Sequence, residues 1–307
     1  MRTLTLIAAV AALSIQPAFA DFRLDSRFSD RDGDLIADIP SNPREWVNPS
    51  TLVFAYTPVE DPAVYAEVWR PFLDHMAAVT GKRVQFFPVS SNAAQIEAMR
   101  SGRLHVAGFN TGSNPLAVAC AGFRPFAMMA SADGSFGYEM EFITHPTSGI
   151  QEVADLRGRT LAFTSETSNS GFKAPQALLE AEYQLVSGTD YTPAFSGAHD
   201  NSILGVVNRD YDAAAIANSV ANRMLARGVI NEGDYRVIYR SDSFPTTGYG
   251  TVYNLHPDLQ QKIQEAFFTF DWTGTALVTH YGAHRQLNPE HAYAATGIKP
   301  HWVLPSI

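Results

Sequence analysis

A chain of 307 residues, 46% of them apolar, is long enough for two domains of ordinary size. Its formal charge of −9 argues against nucleic acid as a partner, because phosphate backbones are held by clustered Lys and Arg. It does not argue against a small anion, which local donors can hold whatever the net charge.

The first twenty residues read as a secretory signal. Arg2 precedes an apolar stretch from Leu4 to Ile15, and Pro17-Ala18-Phe19-Ala20 offers a small-residue cleavage site before Asp21. The apolar core is well short of the roughly 20 residues that span a bilayer. Residues 1–20 are therefore expected to be removed, leaving a soluble protein in the periplasm. Residues 21–50 show little periodicity and carry Pro40, Pro43 and Pro49, the pattern of an extended surface arm. Within the arm Asp30, Asp32, Asp34 and Asp38 stand at offsets 1, 3, 5 and 9, as the oxygen ligands of a calcium loop do. The glycine is misplaced for such a loop and the acid at its end is missing, so a solvated acidic turn fits the same residues.

From Thr51 strand and helix signals alternate. Strands are expected at Leu52–Tyr56, Val84–Val89, Leu104–Phe109, Phe126–Ala130 and Glu139–Thr144. Between them lie a helix from about Asp61 to Gly81, interrupted at Pro71, and shorter helices over Gln95–Arg100 and Pro115–Ala121. The single cysteine, Cys120, sits in that last small-residue run, allows no internal disulfide and reads as a buried thiol. A second unit of the same grammar begins near Thr147. Its strands are Thr160–Phe163, Pro193–Ser196, Tyr211–Ile216 and Arg236–Arg240, and the pattern then returns to strand Gly250–Tyr253 and helix Pro257–Phe270. The fold class is α/β, with two doubly wound lobes joined by a two-crossing hinge: residues 51–145 plus 246–307 form the first lobe and 146–245 the second. In such sheets ligands bind at the carboxyl ends of the strands, here between the lobes.

Polar loops leave several of those ends. Tyr56-Thr57-Pro58 follows the first strand, and Asn110-Thr111-Gly112-Ser113-Asn114 the third. Ser165 to Ser170 runs from strand 160–163 into the helix that begins near Gly171, and Ser196 to Ser202 opens another helix. A strand that ends in small hydroxyl residues at a helix start presents donors at the positive end of the helix dipole, which suits an anion. Ser, Thr and Asn also suit a plain N-cap there.

Taken together these segments resemble the periplasmic solute-binding proteins of phosphate, phosphite and phosphonate ABC importers. The resemblance spans about residues 51–270 and is carried by Ser168-Asn169-Ser170-Gly171 with Pro175, by Ser196-Gly197-Ala198-His199-Asp200, and by Asp212-Ala213-Ala214-Ala215. It implies a type II periplasmic binding protein, a small phosphorus oxyanion as ligand, a permease at the inner membrane as partner, and a monomer without a cofactor beyond the calcium loop considered above. By the same resemblance Ser168, Asn169 and Ser170 form the oxyanion cradle. His199 is a second-lobe donor expected to gain charge beside the anion, while Tyr56 and Asp212 are polar groups at the cleft. Asn110, Thr111 and Ser113 are taken as first-lobe contacts. The chain departs from the family where Ser113 or Asn114 replaces an aromatic, and where Asn169 replaces Thr.

An enzyme is disfavoured. Ser170, His199 and Asp200 or Asp212 could be drawn as a triad, but no Gly-x-Ser-x-Gly elbow is present and the order Ser–His–Asp is not one that hydrolases use. The alternative is a sensor subunit that presents an oxyanion, arsenite included, to a membrane histidine kinase; Cys120 would then matter as a soft ligand.

Overall fold

The structure, a computed structural model, describes residues 23–131, 136–272 and 284–286. The signal segment 1–20 and most of residues 273–307 lie outside that description.

The first sheet is built from β1 (Thr51–Tyr56), β2 (Arg83–Phe86), β3 (Val106–Phe109), β4 (Phe123–Ser131), β10 (Gly248–Val252) and β11 (His284–Gln286), in the order β11-β4-β10-β3-β1-β2. β1 runs parallel to β2 and β3, whereas β10 is antiparallel to both β3 and β4. The second sheet contains β5 (Met140–Thr144), β6 (Thr160–Phe163), β7 (Thr192–Phe195), β8 (Ala213–Ala217) and β9 (Arg236–Arg240), in the order β7-β6-β8-β5-β9. β6 is parallel to β7 and β8, and β5 is antiparallel to β8 and β9. Helices cover the sheets, so strands such as β3, β5 and β8 are buried at every residue and read as continuous apolar runs rather than alternating ones.

β5 belongs to the second sheet, not to the first lobe where the sequence pattern put it. Its five buried residues suit either sheet, and only pairing decides: Met140–Thr144 lie against Ala217–Ala213 on one side and β9 on the other. The chain therefore first crosses between Ser131 and Met140, and returns between Arg240 and Gly248. The two crossings pair with each other, since Tyr138 and Phe244 exchange backbone N–H···O bonds of 3.0 and 2.7 Å.

Helix α1 (Ala63–Thr80) is continuous through Pro71, where an interruption was expected. Tyr65, Trp69, Phe72 and Met76 form one buried face at helical spacing, and that packing outweighs the hydrogen bond lost at the proline. The helix stops at Gly81, whose φ of 68° lets its N–H close on Ala77 O. The arm is fixed to the first lobe: Asp25 N–H donates to Ala119 O, Arg27 to Cys120 O, and Val47 N–H to Asn254 O. Cys120 is half-buried rather than buried. No described helix is long and apolar enough to cross a membrane.

The lobes meet at the carboxyl ends of their parallel strands. Asn92, from α2 (Asn92–Arg100), donates to Thr167 Oγ1 at 3.0 Å, and Lys173 Nζ reaches Gly112 O at 3.3 Å. Gly112 lies so close to the opposite lobe that an added Cβ would stand 2.4 Å from Thr167 O and 2.6 Å from Asn169 N. Both neighbours are backbone and cannot give way. Gly112→Ala should therefore leave each lobe folded but oppose their contact by about 1–3 kcal/mol, the usual cost of overpacking. Small-angle scattering should show a more open envelope for the variant than for the wild type, and superimposable profiles would contradict this.

Candidate functional site

A cavity of about 70 Å³ lies between the lobes. The first lobe contributes Tyr56, Val59, Asn110 and Thr111; the crossings contribute Gly137, Tyr138, Thr246 and Thr247. From the second lobe come Ser168, Asn169, Ser170, His199, Ala217, Ser219, Val220 and Arg223.

The Ser-rich segment leaves β6 and enters helix α4 (Ala174–Tyr183) through one π-turn, Asn169–Lys173. Such turns widen a helix start and recur at functional sites. Ser168 caps this one: its Oγ accepts Gly171 N–H at 3.0 Å. Gly171 is required here, because a Cβ would fall 2.1 Å from Thr164 Oγ1. The first N–H groups of a helical turn have no partner inside the helix, and those of Asn169 and Ser170 are bonded to no described residue. Ser170 is buried, lines the cavity, and forms no side-chain hydrogen bond among the described residues. The N-cap is thus observed, and it leaves donors of the same loop directed at the cavity. Ser168 uses its lone pairs on the cap and keeps its hydroxyl hydrogen for the cavity.

The first-lobe residues are tied down. Asn110 Oδ1 accepts the N–H groups of Gly112 and Ser113, its Nδ2 donates to Thr57 Oγ1, and Thr111 Oγ1 donates to Pro245 O at 2.6 Å. Tyr56 is buried and bonded to Thr247; burial pushes its pKa upward, so the phenol stays protonated and can donate. Tyr138, from the first crossing, supplies an aromatic wall, and its hydroxyl accepts from Asn169 Nδ2 at 3.4 Å.

Two expected contacts are misplaced. Ser113 is fully buried at the start of helix α3 (Asn114–Ala121), with its hydroxyl turned to Asn110 O, and does not line the cavity. Asp212 precedes β8, at the end of that strand away from the cleft. Its carboxylate accepts Thr160 N–H at 2.8 Å and its carbonyl accepts Thr144 Oγ1. In the arm, Asp30, Asp32 and Asp34 bring carboxylate oxygens within 4.8 Å of one another, but Asp38 is held elsewhere by Arg31 and Ser29. Asp30 and Asp34 oxygens accept the backbone N–H groups of Asp34, Leu35 and Ile36, which closes the turn.

His199 opens helix α5 (His199–Val207) and is buried against the cavity. Its Nδ1 accepts Ala217 N–H at 3.0 Å, which places the ring hydrogen on Nε2. Burial, aided by nearby Arg223 and opposed by Glu60, pulls its pKa down to about 3. In this environment His199 is a neutral donor; the expected gain of charge concerns the state with an anion beside it. The cavity's cation is instead Arg223, on helix α6 (Asn218–Ala226), with only 8% of its surface exposed. Sequence reasoning passed over it. The available signal was positional: α6 begins directly after β8 ends, so Ser219, Val220 and Arg223 occupy the one helix face that a cleft at that edge can see.

The family model described as ABC transporter, phosphonate, periplasmic substrate-binding protein matches residues 54–291. The chain belongs to that family. It is accordingly a periplasmic substrate-binding protein of a transport system and not an enzyme. Among its relatives, the phosphate-import protein PhnD of Mycolicibacterium smegmatis is 27% identical over 233 residues, covering 71% of each chain. A binding protein component of an ABC phosphonate transporter from Pseudomonas aeruginosa superposes with a TM-score of 0.71 at 21% identity, over 79% of this chain and 83% of that one. PhnD1 of Prochlorococcus marinus, solved in complex with methylphosphonate, gives 0.67 at 16% identity, over 80% and 95%. These neighbours share the two-lobed type II fold.

The state of His199 has a measurable consequence. Unfolded, its imidazole titrates near 6.5; folded, near 3. Below about 6.5 the unfolded chain takes up a proton that the folded chain refuses. The stability due to a neutral His199 is thus complete above that pH and is lost as pH falls toward 3. His199→Gln keeps a donor and an acceptor but no titration. Its unfolding free energy, measured by denaturant titration, should fall less steeply than the wild type's between about pH 6.5 and 4. Parallel curves would mean that His199 is not held neutral.

Proposed function

We propose that the protein captures a small phosphorus oxyanion, a phosphonate, phosphite or phosphate, in the interlobe cleft and delivers it to an ABC importer at the inner membrane. The observation that carries this reading is the meeting, in one interlobe cavity, of the Ser168–Ser170 segment with the buried guanidinium of Arg223.

Size and energy agree with it. A volume of about 70 Å³ is several times the roughly 10–15 Å³ that admits a single water, the scale of one small compact ligand. Hydrogen bonds to a charged oxygen contribute about 1.5–3 kcal/mol apiece, so three or four reach the roughly 8 kcal/mol of a micromolar complex. The relatives' ligands point the same way, one relative being a phosphate-import protein and another holding methylphosphonate.

Calorimetric titration of the mature protein with methylphosphonate, phosphite and phosphate should give micromolar or tighter binding for at least one of them. No heat from the three, together with heat from an amino acid or a sugar, would overturn the reading. Ser170→Ala should weaken binding by about 1.5–3 kcal/mol with little change in melting temperature. Ser168→Ala should weaken binding too, but also lower stability by about 1 kcal/mol, because the cap on Gly171 is lost.

A further inference from the structure

Three consecutive first-lobe residues reach across the cleft. Val59 lines the cavity, packs against the cores of both lobes, and accepts His199 N–H on its carbonyl at 3.1 Å. Asp61 N–H donates to the Asp200 carboxylate at 3.2 Å. Between them Glu60, 1% exposed, accepts Arg223 Nε on Oε1 at 2.7 Å and Arg227 on Oε2. Burial pushes the Glu60 carboxyl upward, yet the two guanidinium groups outweigh it and hold its pKa below the ordinary glutamate value. The carboxylate is ionised, and this trio of side chains retains one positive charge.

Arg223 thus faces two ways, bonded through Nε to a carboxylate of the opposite lobe while it lines the ligand cavity. A guanidinium is a rigid plane, so fixing Nε fixes the direction of the remaining donors. A lysine at this position would carry the charge without that coupling. The cavity side of such a plane matches a group with two oxygens side by side, as a tetrahedral oxyanion presents.

Resting on the oxyanion reading above, we infer that Arg223 is the cationic contact of the bound oxyanion and that Glu60 is the positioning residue that aims it, so that the cation is aligned only when the lobes meet. Affinity is then shared between a second-lobe cation and a first-lobe carboxylate that never touches the ligand.

The test is a double-mutant cycle on the full mature protein, with methylphosphonate, phosphite and phosphate as probes in calorimetry. Arg223→Gln should weaken binding by about ten- to a hundredfold, and Arg223→Lys should recover only part of that loss. Glu60→Gln should also weaken binding, and adding it to Arg223→Gln should cost nothing more. The last comparison is decisive because Arg227 still holds Glu60 in Arg223→Gln. A carboxylate that served only to clasp the lobes would keep its effect there, and additive losses would overturn the positioning role. Wild-type affinity in Glu60→Gln or in Arg223→Lys would overturn that role as well, and wild-type affinity in Arg223→Gln would overturn the contact. If Arg223→Gln does not fold, Arg223→Lys serves as the background for Glu60→Gln and the same criterion applies. A wild-type protein that binds none of the three probes would instead refute the oxyanion reading itself.

Discussion

In each sheet an interior strand that follows a crossing runs against both of its neighbours. β10 lies between β3 and β4, and β5 between β8 and β9. All five residues of each are buried, so neither strand can be withdrawn without exposing a row of backbone groups. At Gly250 the approach is close enough that a Cβ would meet Arg124 O at 2.2 Å. This exchange keeps the carboxyl ends of both parallel sets facing a shared space, and the cradle, the tyrosine walls and Arg223 all depend on that orientation.

The electrostatics of the cleft are local. The chain carries an excess of acid, but exposed charges are screened beyond about 8–10 Å at ordinary salt. Inside the cavity the relevant groups are a buried guanidinium, a histidine held neutral, and hydroxyls with backbone N–H groups at a helix start. Neutral donors bring little repulsion of their own and need no counter-charge, so a single cation suffices to set the sign of the site.

Much of this was legible in the sequence, for a definite reason. In α/β sheets the residues at and just beyond a strand's carboxyl end face the cleft; Tyr56 ends β1, and Asn110, Thr111, Ser168, Asn169, Ser170 and His199 follow such an end. Asp212 was misread because it precedes its strand, and Ser113 because it lies a full turn beyond the end of β3. Tyr138 was hidden by the assignment of β5 to the wrong sheet, which moved the first crossing. Glu60 and Arg223 stand 163 positions apart, and no local pattern announces such a pair. The neutral state of His199 is set by burial, a tertiary property that its neighbours in sequence do not announce.

The bridge between Tyr138 and Phe244 brings the entry and exit of the second lobe side by side. That lobe is one uninterrupted length of chain with adjacent ends, the arrangement that lets a domain be lifted from one host and grafted into another. The arm's described backbone bonds to the rest of the chain go to the first lobe, so it would stay with the host. A grafted cassette would carry the Ser168–Ser170 cradle and Arg223 with it, yet leave Glu60 behind in the host. Recombination between relatives would therefore cut through the interlobe cavity, inheriting Ser168–Ser170 and Arg223 from one parent and Glu60 from the other.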